Sequence, residues 1–435
     1  VMRLSMIGKT LLLSVLFILL VSACAAPVQP GRGSESPAGS QVEVEQPQAG
    51  KTPGQPQPPA ADSESPTAVV APIQTSEPDA PVGPTIVETE TAGPPATPTP
   101  LVPLNEIMSG GVAPDVIPPI DAPKFVSVES ADEWLTDKEP VIAVRLNDVA
   151  KAYPLQIMTW HEIVNDEFGN KPVAVTFCPL CNTALAFDRE VNGTLYDFGT
   201  SGRLYNSALV MYDRQTGSWW SQVLGLAIVG ELTGTQLTFL PAAIVSWAEF
   251  RTAHPDGLVL SRDTGHSRPY GSNPYALYDA PGNRPFLFRG KIDPRLQAME
   301  RVVGVEIGGE AKAYPFSVLA DERAVADRVG SRDIVVFYYP GTTSALDRQA
   351  IAESRDVGAA AVFDPELDGQ LLTFSVDEDG QIVDDQTGSV WNTLGEATSG
   401  PMEGKQLTPI VHGNHFWFAW AAFHPETSIY RQADS

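Results

Sequence analysis

The chain has 435 residues, of which 43% are hydrophobic and 19% are charged. Its 53 acidic side chains outnumber the 28 basic ones and give a formal net charge of −25 at pH 7. This excess of acid argues against a nucleic-acid-binding protein, because affinity for phosphate backbones comes from clustered Lys and Arg. A single long apolar run, near the N-terminus, argues against a transporter with several membrane spans. The length allows two or three domains.

The first 24 residues have the pattern of a secretory signal peptide. Arg3 and Lys9 precede an apolar run from Leu11 to Val21, which is short for a membrane span. The segment ending at Cys24 resembles a bacterial lipoprotein lipobox, which implies cleavage before Cys24 and lipidation of its sulfur. An ordinary signal peptide with an incidental cysteine is the alternative. We therefore expect an exported protein, lipid-anchored through Cys24 to the outer face of the cell membrane or to the outer membrane.

Residues 25–110 are predicted to form a disordered tether rich in Pro, Ser and Glu. The part from Ala25 to Pro103 holds 18 of the 39 prolines and almost no aromatic residue. Such a composition cannot bury enough apolar surface to offset the entropy lost on ordering. Its proline content predicts a semi-extended spacer between the membrane and the folded part of the chain.

The rest of the chain contains an internal duplication. The segment Lys151–Pro154 recurs with the same residue types as Lys312–Pro315, and Gln215–Trp220 closely matches Gln386–Trp391. Further matches follow in the same order, which predicts two domain-sized copies rather than short solenoid repeats. The predicted domains are a first repeat at 111–262, an inter-repeat segment at 263–298, and a second, degenerate repeat at 299–435.

Each copy shows the same succession of local patterns. An alternating strand leads to a helix, predicted over residues 155–167 in the first copy and 316–329 in the second, and then to a short apolar strand. Several strands with Gly-rich turns and a closing helix follow. We therefore predict an α+β fold: an internally duplicated domain with a mostly antiparallel sheet and a few helices in each copy.

The first copy alone carries a set of soft-ligand residues, namely His161, Cys178 and Cys181. The two cysteines form a Cys-x-x-Cys pair, for which three uses stay open. They can form a structural disulfide, which is common outside the cytoplasm. They can bind one soft metal ion, Cu or Zn, with His161 as the third ligand. They can also exchange electrons as a dithiol.

In the metal hypothesis, neighbouring polar residues support the imidazole. His161 and Asn165 lie one turn apart on the predicted helix and so share a face. Glu162 and Asp166 form a second such pair on the adjacent face. We expect Asn165 or Asp166 to orient the ring of His161, as the partners of metal-bound histidines commonly do.

Two other places are candidates for ligand binding. The Gly-flanked stretch from Gly199 to Ser207 carries Ser201, Arg203 and Tyr205, and its backbone amides and guanidinium suit an anion. His266 lies in the inter-repeat segment, where it is a candidate for lining a cleft between the copies; a packed linker is the alternative.

The motifs together resemble an uncharacterised prokaryotic family known as domain of unknown function 3179. The resemblance rests on the runs His161–Asp166, Phe177–Thr183 and Gly199–Tyr205, and on the helix that carries Trp247. It implies membership of this family but no activity. Asn182 departs from the pattern, since glycine is expected after the second cysteine, and this loosens any argument for a tight turn there.

The leading hypothesis is a membrane-anchored extracytoplasmic protein with a Cys/His site that binds a soft metal or transfers electrons. A non-catalytic ligand-binding module with a structural Cys178–Cys181 disulfide is the first alternative, and a thiol oxidoreductase is the second. The expected partner is membrane lipid through Cys24, and no nucleic acid is expected.

Overall fold

The architecture comes from a computed structural model that describes residues 98–431. The predicted signal peptide, Cys24 and most of the predicted tether lie outside the described residues. Within residues 98–431, no helix is long and apolar enough to cross a bilayer. We call residues 98–262 the first half, residues 263–298 the strap, and residues 299–431 the second half.

Short strands make up most of the regular structure of the described residues. The strands of the first half are β1 (Ile107–Ser109), β2 (Phe125–Ser127), β3 (Pro140–Leu146), β4 (Val149–Pro154), β5 (Ile163–Phe168), β6 (Lys171–Cys178), β7 (Thr183–Asp188), β8 (Glu190–Val191), β9 (Thr194–Leu195), β10 (Phe198–Tyr205), β11 (Ala208–Asp213), β12 (Trp219–Ser221), β13 (Leu226–Val229), β14 (Phe239–Leu240), β15 (Ala243–Ser246) and β16 (Leu258–Leu260). Those of the second half are β17 (Arg301–Ile307), β18 (Glu310–Pro315), β19 (Ala324–Val329), β20 (Arg332–Tyr339), β21 (Ala359–Asp364), β22 (Glu366–Leu367), β23 (Gln370–Leu371), β24 (Phe374–Val376), β25 (Ile382–Asp384), β26 (Val390–Trp391), β27 (Ala397–Ser399), β28 (Thr408–Pro409), β29 (Gly413–Phe416) and β30 (Ser428–Ile429).

The helices are few and short. The α-helices are α1 (Val128–Asp132), α2 (Leu155–His161), α3 (Trp247–Ala253), α4 (Phe316–Glu322) and α5 (Trp417–Phe423), and single 3₁₀ turns lie at Leu104–Glu106 and Ile351–Glu353. The strap contains neither helix nor strand.

The strands form small sheets in which neighbours are almost all antiparallel. The first half has the sheets β1-β10-β11-β12-β13, β14-β7-β6-β5 and β15-β3-β4-β16-β2. The second half has β29-β17-β18-β30, β19-β20-β21-β28 and β24-β25-β26-β27. Among the strand pairs of residues 98–431, β16 with β4 and β30 with β18 run parallel. The prediction of mostly antiparallel sheet with a few helices is confirmed.

The helices predicted over residues 155–167 and 316–329 are correct in their N-terminal parts and wrong in their C-terminal parts. Helix α2 ends at His161 and helix α4 ends at Glu322, and strands β5 and β19 follow. The sequence misleads because β5 is almost wholly buried, polar residues included, so its pattern lacks the alternation of exposed and buried positions that marks a strand. The β-branched pair Ile163 and Val164 favours a strand, and the pairing of Ile163 with Thr176 on β6 decides the outcome.

The folded part begins earlier than the predicted boundary at residue 111. Strand β1 pairs with β10, with Ile107 opposite Tyr205, and the side chain of Ile107 is buried. Because prolines lie on both sides of this short strand, its composition resembles that of the tether.

A buried ion pair joins β4 to β5 in the first half. The ammonium of Lys151 lies 2.8 Å from the carboxylate of Asp166, which also accepts a hydrogen bond from the hydroxyl of Tyr153 at 2.5 Å. The ring of Phe125 covers the ammonium at 4.1 Å. Because Lys151 and Tyr153 of β4 both bind the buried carboxylate of Asp166 on β5, this cluster holds the two strands together.

The second half repeats that arrangement with the same residue types. Lys312 lies 2.5 Å from Asp327, and the hydroxyl of Tyr314 donates to the same carboxylate at 2.8 Å. These residues join β18 to β19, so matched parts of the two halves are held in the same way.

Candidate dithiol site

The two cysteines lie on the hairpin between β6 and β7. Cys178 ends β6 and pairs with Thr183, the first residue of β7, so Cys181 lies in the connecting turn. Asn182 adopts a left-handed backbone conformation with φ of 53°, which Asn tolerates better than most residues. The turn therefore forms although glycine is absent there.

Both cysteines are free thiols in the interior of the protein. Cys178 is 1% exposed and Cys181 is 0% exposed. The thiol of Cys181 donates to the carbonyl oxygen of Cys178, with its Sγ atom 3.8 Å from that oxygen. Burial raises the pKa of the Cys178 thiol well above its ordinary value, and the neighbouring Cys181 and Glu162 raise it further.

Glu162 supplies a carboxyl group beside this pair. It follows α2 with φ of 60°, donates its backbone N–H to Met158, and accepts from the backbone N–H of Phe177. Its side chain is almost fully buried, and within residues 98–431 its one hydrogen-bond donor is the hydroxyl of Tyr275 at 3.4 Å. Burial raises the pKa of the Glu162 carboxyl to about 7, so it can hold or release a proton at neutral pH.

Arg323 is the residue of the second half that matches Glu162, and comparing the two shows which features of this position belong to the fold and which to the site. Arg323 has the same backbone conformation, with φ of 64°, and receives the backbone N–H of Tyr338 as Glu162 receives that of Phe177. Its guanidinium donates to the carbonyl oxygens of Tyr338 and Gly380. The unusual backbone is therefore common to both halves, whereas of the two matched positions only the one beside the cysteines carries a buried carboxyl.

His161 does not join the cysteines as a metal ligand. Its Nδ1 lies 2.7 Å from the carbonyl oxygen of Pro118, and its Nε2 lies 2.6 Å from the hydroxyl of Tyr270. Burial lowers the pKa of His161 to about 4, so the ring is neutral at pH 7. Because the carbonyl can only accept, Nδ1 carries the proton and Nε2 accepts from Tyr270. Both ring nitrogens are thus occupied.

The expected three-ligand metal site is not assembled. Across residues 98–431, no group of three or more His, Cys, Asp or Glu side chains is placed to hold a metal ion. Cys178, Cys181 and His161 are therefore not brought together as a ligand set, although the two cysteines adjoin each other.

The expected supports of the imidazole bind elsewhere. The amide of Asn165 donates to Asp121 at 2.7 Å and makes two hydrogen bonds with the backbone of Phe198, joining β5 to β10. Asp166 is held by Lys151, as described above. Neither contacts His161, because the chain leaves the helix at that residue and continues as a strand.

The stretch that carries Ser201, Arg203 and Tyr205 is strand β10 rather than an anion-binding loop. The hydroxyl of Ser201 donates to the carbonyl of Val210 and accepts from the backbone N–H of Arg203, at a register shift of the β10–β11 ladder. The guanidinium of Arg203 stacks on Trp219 at 4.4 Å. The ring of Tyr205 packs against Phe423 at 5.7 Å.

His266 is exposed on the strap, and its ring lies 5.4 Å from the ring of His161. It is the only one of the four candidate ligand-binding residues that approaches the residues around the dithiol site.

The strap supplies three tyrosines that the sequence did not identify as site residues. Tyr270 binds His161, Tyr275 binds Glu162, and the hydroxyl of Tyr278 donates to the carbonyl oxygen of Leu180, between the two cysteines, at 3.0 Å. The one available signal was three tyrosines in a segment rich in Pro and Gly. This segment therefore covers the dithiol site.

Comparison with known families agrees with this arrangement of motifs. The family model described as "Protein of unknown function (DUF3179)" matches residues 114–427. The chain belongs to the DUF3179 family. The match includes the cysteine hairpin, the strap and both halves. Comparison with curated proteins and with solved structures gives no match.

Proposed function

We propose that this DUF3179 protein is an extracytoplasmic thiol–disulfide redox protein whose active pair is Cys178 and Cys181. The observation that carries the proposal is the buried carboxyl of Glu162, whose pKa is raised to about 7, beside a free thiol pair to which residues 98–431 add no third metal ligand. A neutral thiol is a poor nucleophile, so a buried dithiol needs a base of this kind.

In the proposed reaction the reduced pair transfers two electrons to the disulfide of a partner. The carboxylate of Glu162 takes the proton of Cys178, and the thiolate attacks one sulfur of the partner disulfide, releasing one partner thiol. Glu162 passes its proton to the first departing sulfur; Cys181 then attacks the sulfur of Cys178 while its own proton goes to the second departing sulfur, which leaves as the second partner thiol. The products are one Cys178–Cys181 disulfide and two partner thiols, and the reverse reaction oxidises a partner dithiol.

The second half has a supporting role in this proposal, as a degenerate copy that arose by internal duplication. The repeated Lys–Tyr–Asp clusters support the duplication, since Asp166 and Asp327 have equivalent partners in the two halves. Tyr339 and Thr342 stand where the first half has its cysteines, so the second half keeps the strands and lacks the thiols.

The cellular position belongs to the same proposal. Lipidation at Cys24 would tether the folded part to the outer face of a membrane, in a compartment where disulfides persist. Replacement of Cys24 by Ala should release the protein from membranes into the soluble fraction. Retention of the Cys24→Ala variant on membranes would contradict the anchor and leave the redox proposal standing.

The direct test equilibrates the purified protein with reduced and oxidised glutathione and counts free thiols at residues 178 and 181 by alkylation and mass spectrometry. We expect reversible formation of the Cys178–Cys181 disulfide. Glu162→Gln should slow exchange at pH 7 by about 100-fold or more, since a positioned general base contributes about 10²- to 10⁴-fold. Arg323→Gln, the matched change in the second half, should leave the rate unchanged. A pair that stays reduced at every glutathione ratio would refute the proposal.

A soft-metal site is the second candidate, supported by two adjacent thiols of the kind that Cu(I) prefers. In that case, protein isolated from an exporting host should contain stoichiometric copper or zinc, and its cysteines should react with thiol reagents only after a chelator is added. A pair isolated as a disulfide that resists mild reductant would instead favour a structural staple in a ligand-binding module.

A further inference from the structure

A large cavity lies between the two halves. Its volume is about 450 Å³, which is in the range of small-molecule sites. The first half contributes an apolar wall that includes Leu185, Val223 and Phe239. The second half contributes the polar wall, described next.

Three of the chain's six histidines line the polar wall: His412, His415 and His424. Nδ1 of His412 lies 2.8 Å from the carbonyl oxygen of Ile410, and Nε2 of this nine-tenths buried ring has no partner among the described residues. Nδ1 of His415 lies 2.8 Å from the hydroxyl of Thr183, which itself donates to a carbonyl. In both rings Nδ1 therefore carries the proton, and Nε2 is left as an acceptor.

The backbone beside the cavity is adapted to these side chains. Gly304 and Gly413 stand directly opposite each other on β17 and β29. A Cβ atom on Gly413 would lie 2.4 Å from Nε2 of His415, and one on Gly304 would lie 2.3 Å from the ring of Trp420. Glycine at both positions is thus what allows the imidazole and the indole to lie across the strands.

A smaller cavity, formed by the matched residues of the first half together with residues of the second half, serves as an internal comparison. It measures about 270 Å³, and the cross-strand pair beside it is Ala143 and Ala243 instead of two glycines. Val245 stands where the second half has His415. His254, the counterpart of His424, and His412 also line the smaller cavity, so His415 and the paired glycines are what distinguish the larger one.

The two cavities also differ in the charge of one lining residue. Arg145 lines the smaller one, where it lies 3.7 Å from Glu396. Glu306 takes the place of Arg145 in the larger cavity, and its one ion-pair contact within residues 98–431 is His424 at 3.5 Å. Burial lowers the pKa of His424 to about 4, so at pH 7 this ring does not neutralise the carboxylate.

An acidic vestibule adjoins the cavity. A second space of about 440 Å³ shares Glu306 and His424 with it and is also lined by Glu310 and Glu426. A cation that approaches through this space meets carboxylates before it reaches the apolar wall.

We propose that the cavity lined by His412, His415, His424 and Glu306 binds a small organic cation with an apolar body. Its volume is too large for a bare metal ion, its apolar wall suits a hydrocarbon or aromatic body, and its polar wall presents acceptors and an uncompensated carboxylate. This proposal does not rest on the proposed function of the dithiol.

The test uses three indoles that differ only in the end of a two-carbon chain: tryptamine, a cation; tryptophol, which is neutral; and indole-3-propionate, an anion. Isothermal titration calorimetry on the purified protein at pH 7 should show one site, with tryptamine bound about tenfold more tightly than tryptophol and indole-3-propionate bound most weakly. Equal affinity for all three, a preference for the anion, or no binding at millimolar concentration would overturn the proposal.

Two substitutions assign the site. Glu306→Gln, on a side chain that is 51% exposed and so tolerant of change, should reduce tryptamine affinity to that of tryptophol. His415→Val, which copies the first half, should weaken all three indoles. The control is Glu378→Gln, an exposed carboxylate on the turn between β24 and β25, which should change nothing. Unaltered tryptamine binding by Glu306→Gln would refute the assignment.

Discussion

The hydroxyl of Thr183 lies 2.8 Å from Nδ1 of His415, and the two residues are 232 positions apart in the chain. The same hydroxyl donates to the carbonyl oxygen of Cys181, and the backbone N–H of Phe416 donates to that carbonyl as well. One threonine therefore ties the turn that carries the dithiol in the first half to the strand that lines the histidine cavity in the second.

Replacing Thr183 by Val should destabilise the protein by about 1–3 kcal/mol, because Nδ1 of His415 would be buried without its partner. The measurement is urea unfolding at pH 7. The control is Thr342→Val, which removes a buried hydroxyl that has no partner among the described residues and should be neutral or slightly stabilising. Similar losses in both variants would show that the Thr183–His415 contact contributes nothing specific.

Glu162 should make stability depend on pH. Its pKa is raised from 4.5 in the unfolded chain to about 7 in the folded protein. As the pH rises from 4.5 to 7, the unfolded chain releases a proton that the folded protein keeps, so the free energy of unfolding falls, by about 3 kcal/mol at most.

Glu162→Gln removes this pH dependence. The stability of the variant relative to wild type should therefore rise between pH 4.5 and 7 and level off above pH 7. The histidines contribute equally to both proteins and cancel in the difference. Urea unfolding of the wild type and the variant at pH 4.5, 6 and 8 measures this difference in free energy of unfolding. A difference that does not change with pH would show that Glu162 is ionised in the folded protein.

The repeated ion pairs should differ in strength between the halves. The side chains of Lys151 and Asp166 are 8% and 6% exposed, whereas those of Lys312 and Asp327 are 22% and 18% exposed. Asp166→Asn leaves an ammonium buried without a counter-charge and should cost about 3–5 kcal/mol. Asp327→Asn should cost clearly less, since water reaches Lys312. Thermal or urea unfolding of both variants decides this, and equal losses would contradict it.

The hydrogen bond from Tyr278 to Leu180 should limit access to the cysteines. Tyr278→Phe removes about 1 kcal/mol of local stabilisation, which corresponds to roughly fivefold faster alkylation of the thiols in the folded protein. Iodoacetamide labelling followed by mass spectrometry measures the rate.

The control for Tyr278→Phe is Tyr430→Phe, which removes one tyrosine hydrogen bond, to Glu322, in the second half. It should leave the alkylation rate unchanged. If both variants react at the wild-type rate, the cysteines become accessible by a motion other than release of the strap.

Local patterns in the sequence were sufficient for the fold class. The β-like pattern of residues 141–146 predicted β3, and the few helices among many strands followed from the same kind of local signal. The same approach failed at residues 163–168, where a short apolar pair followed by Asn-Asp-Glu is compatible with helix and only the pairing with β6 makes a strand. The family assignment also needed only the sequence, since it depends on the order of short motifs.

The site depended on contacts that no local pattern encodes. His161 hydrogen-bonds to Tyr270, and Glu162 hydrogen-bonds to Tyr275. Each partner lies more than one hundred residues away in the chain. Whether a histidine can bind metal depends on which atoms occupy its two nitrogens, and whether a carboxyl keeps its proton depends on what excludes water from it. The sequence alone established the residue types and their order, and tertiary packing decided which of them meet and in which protonation state.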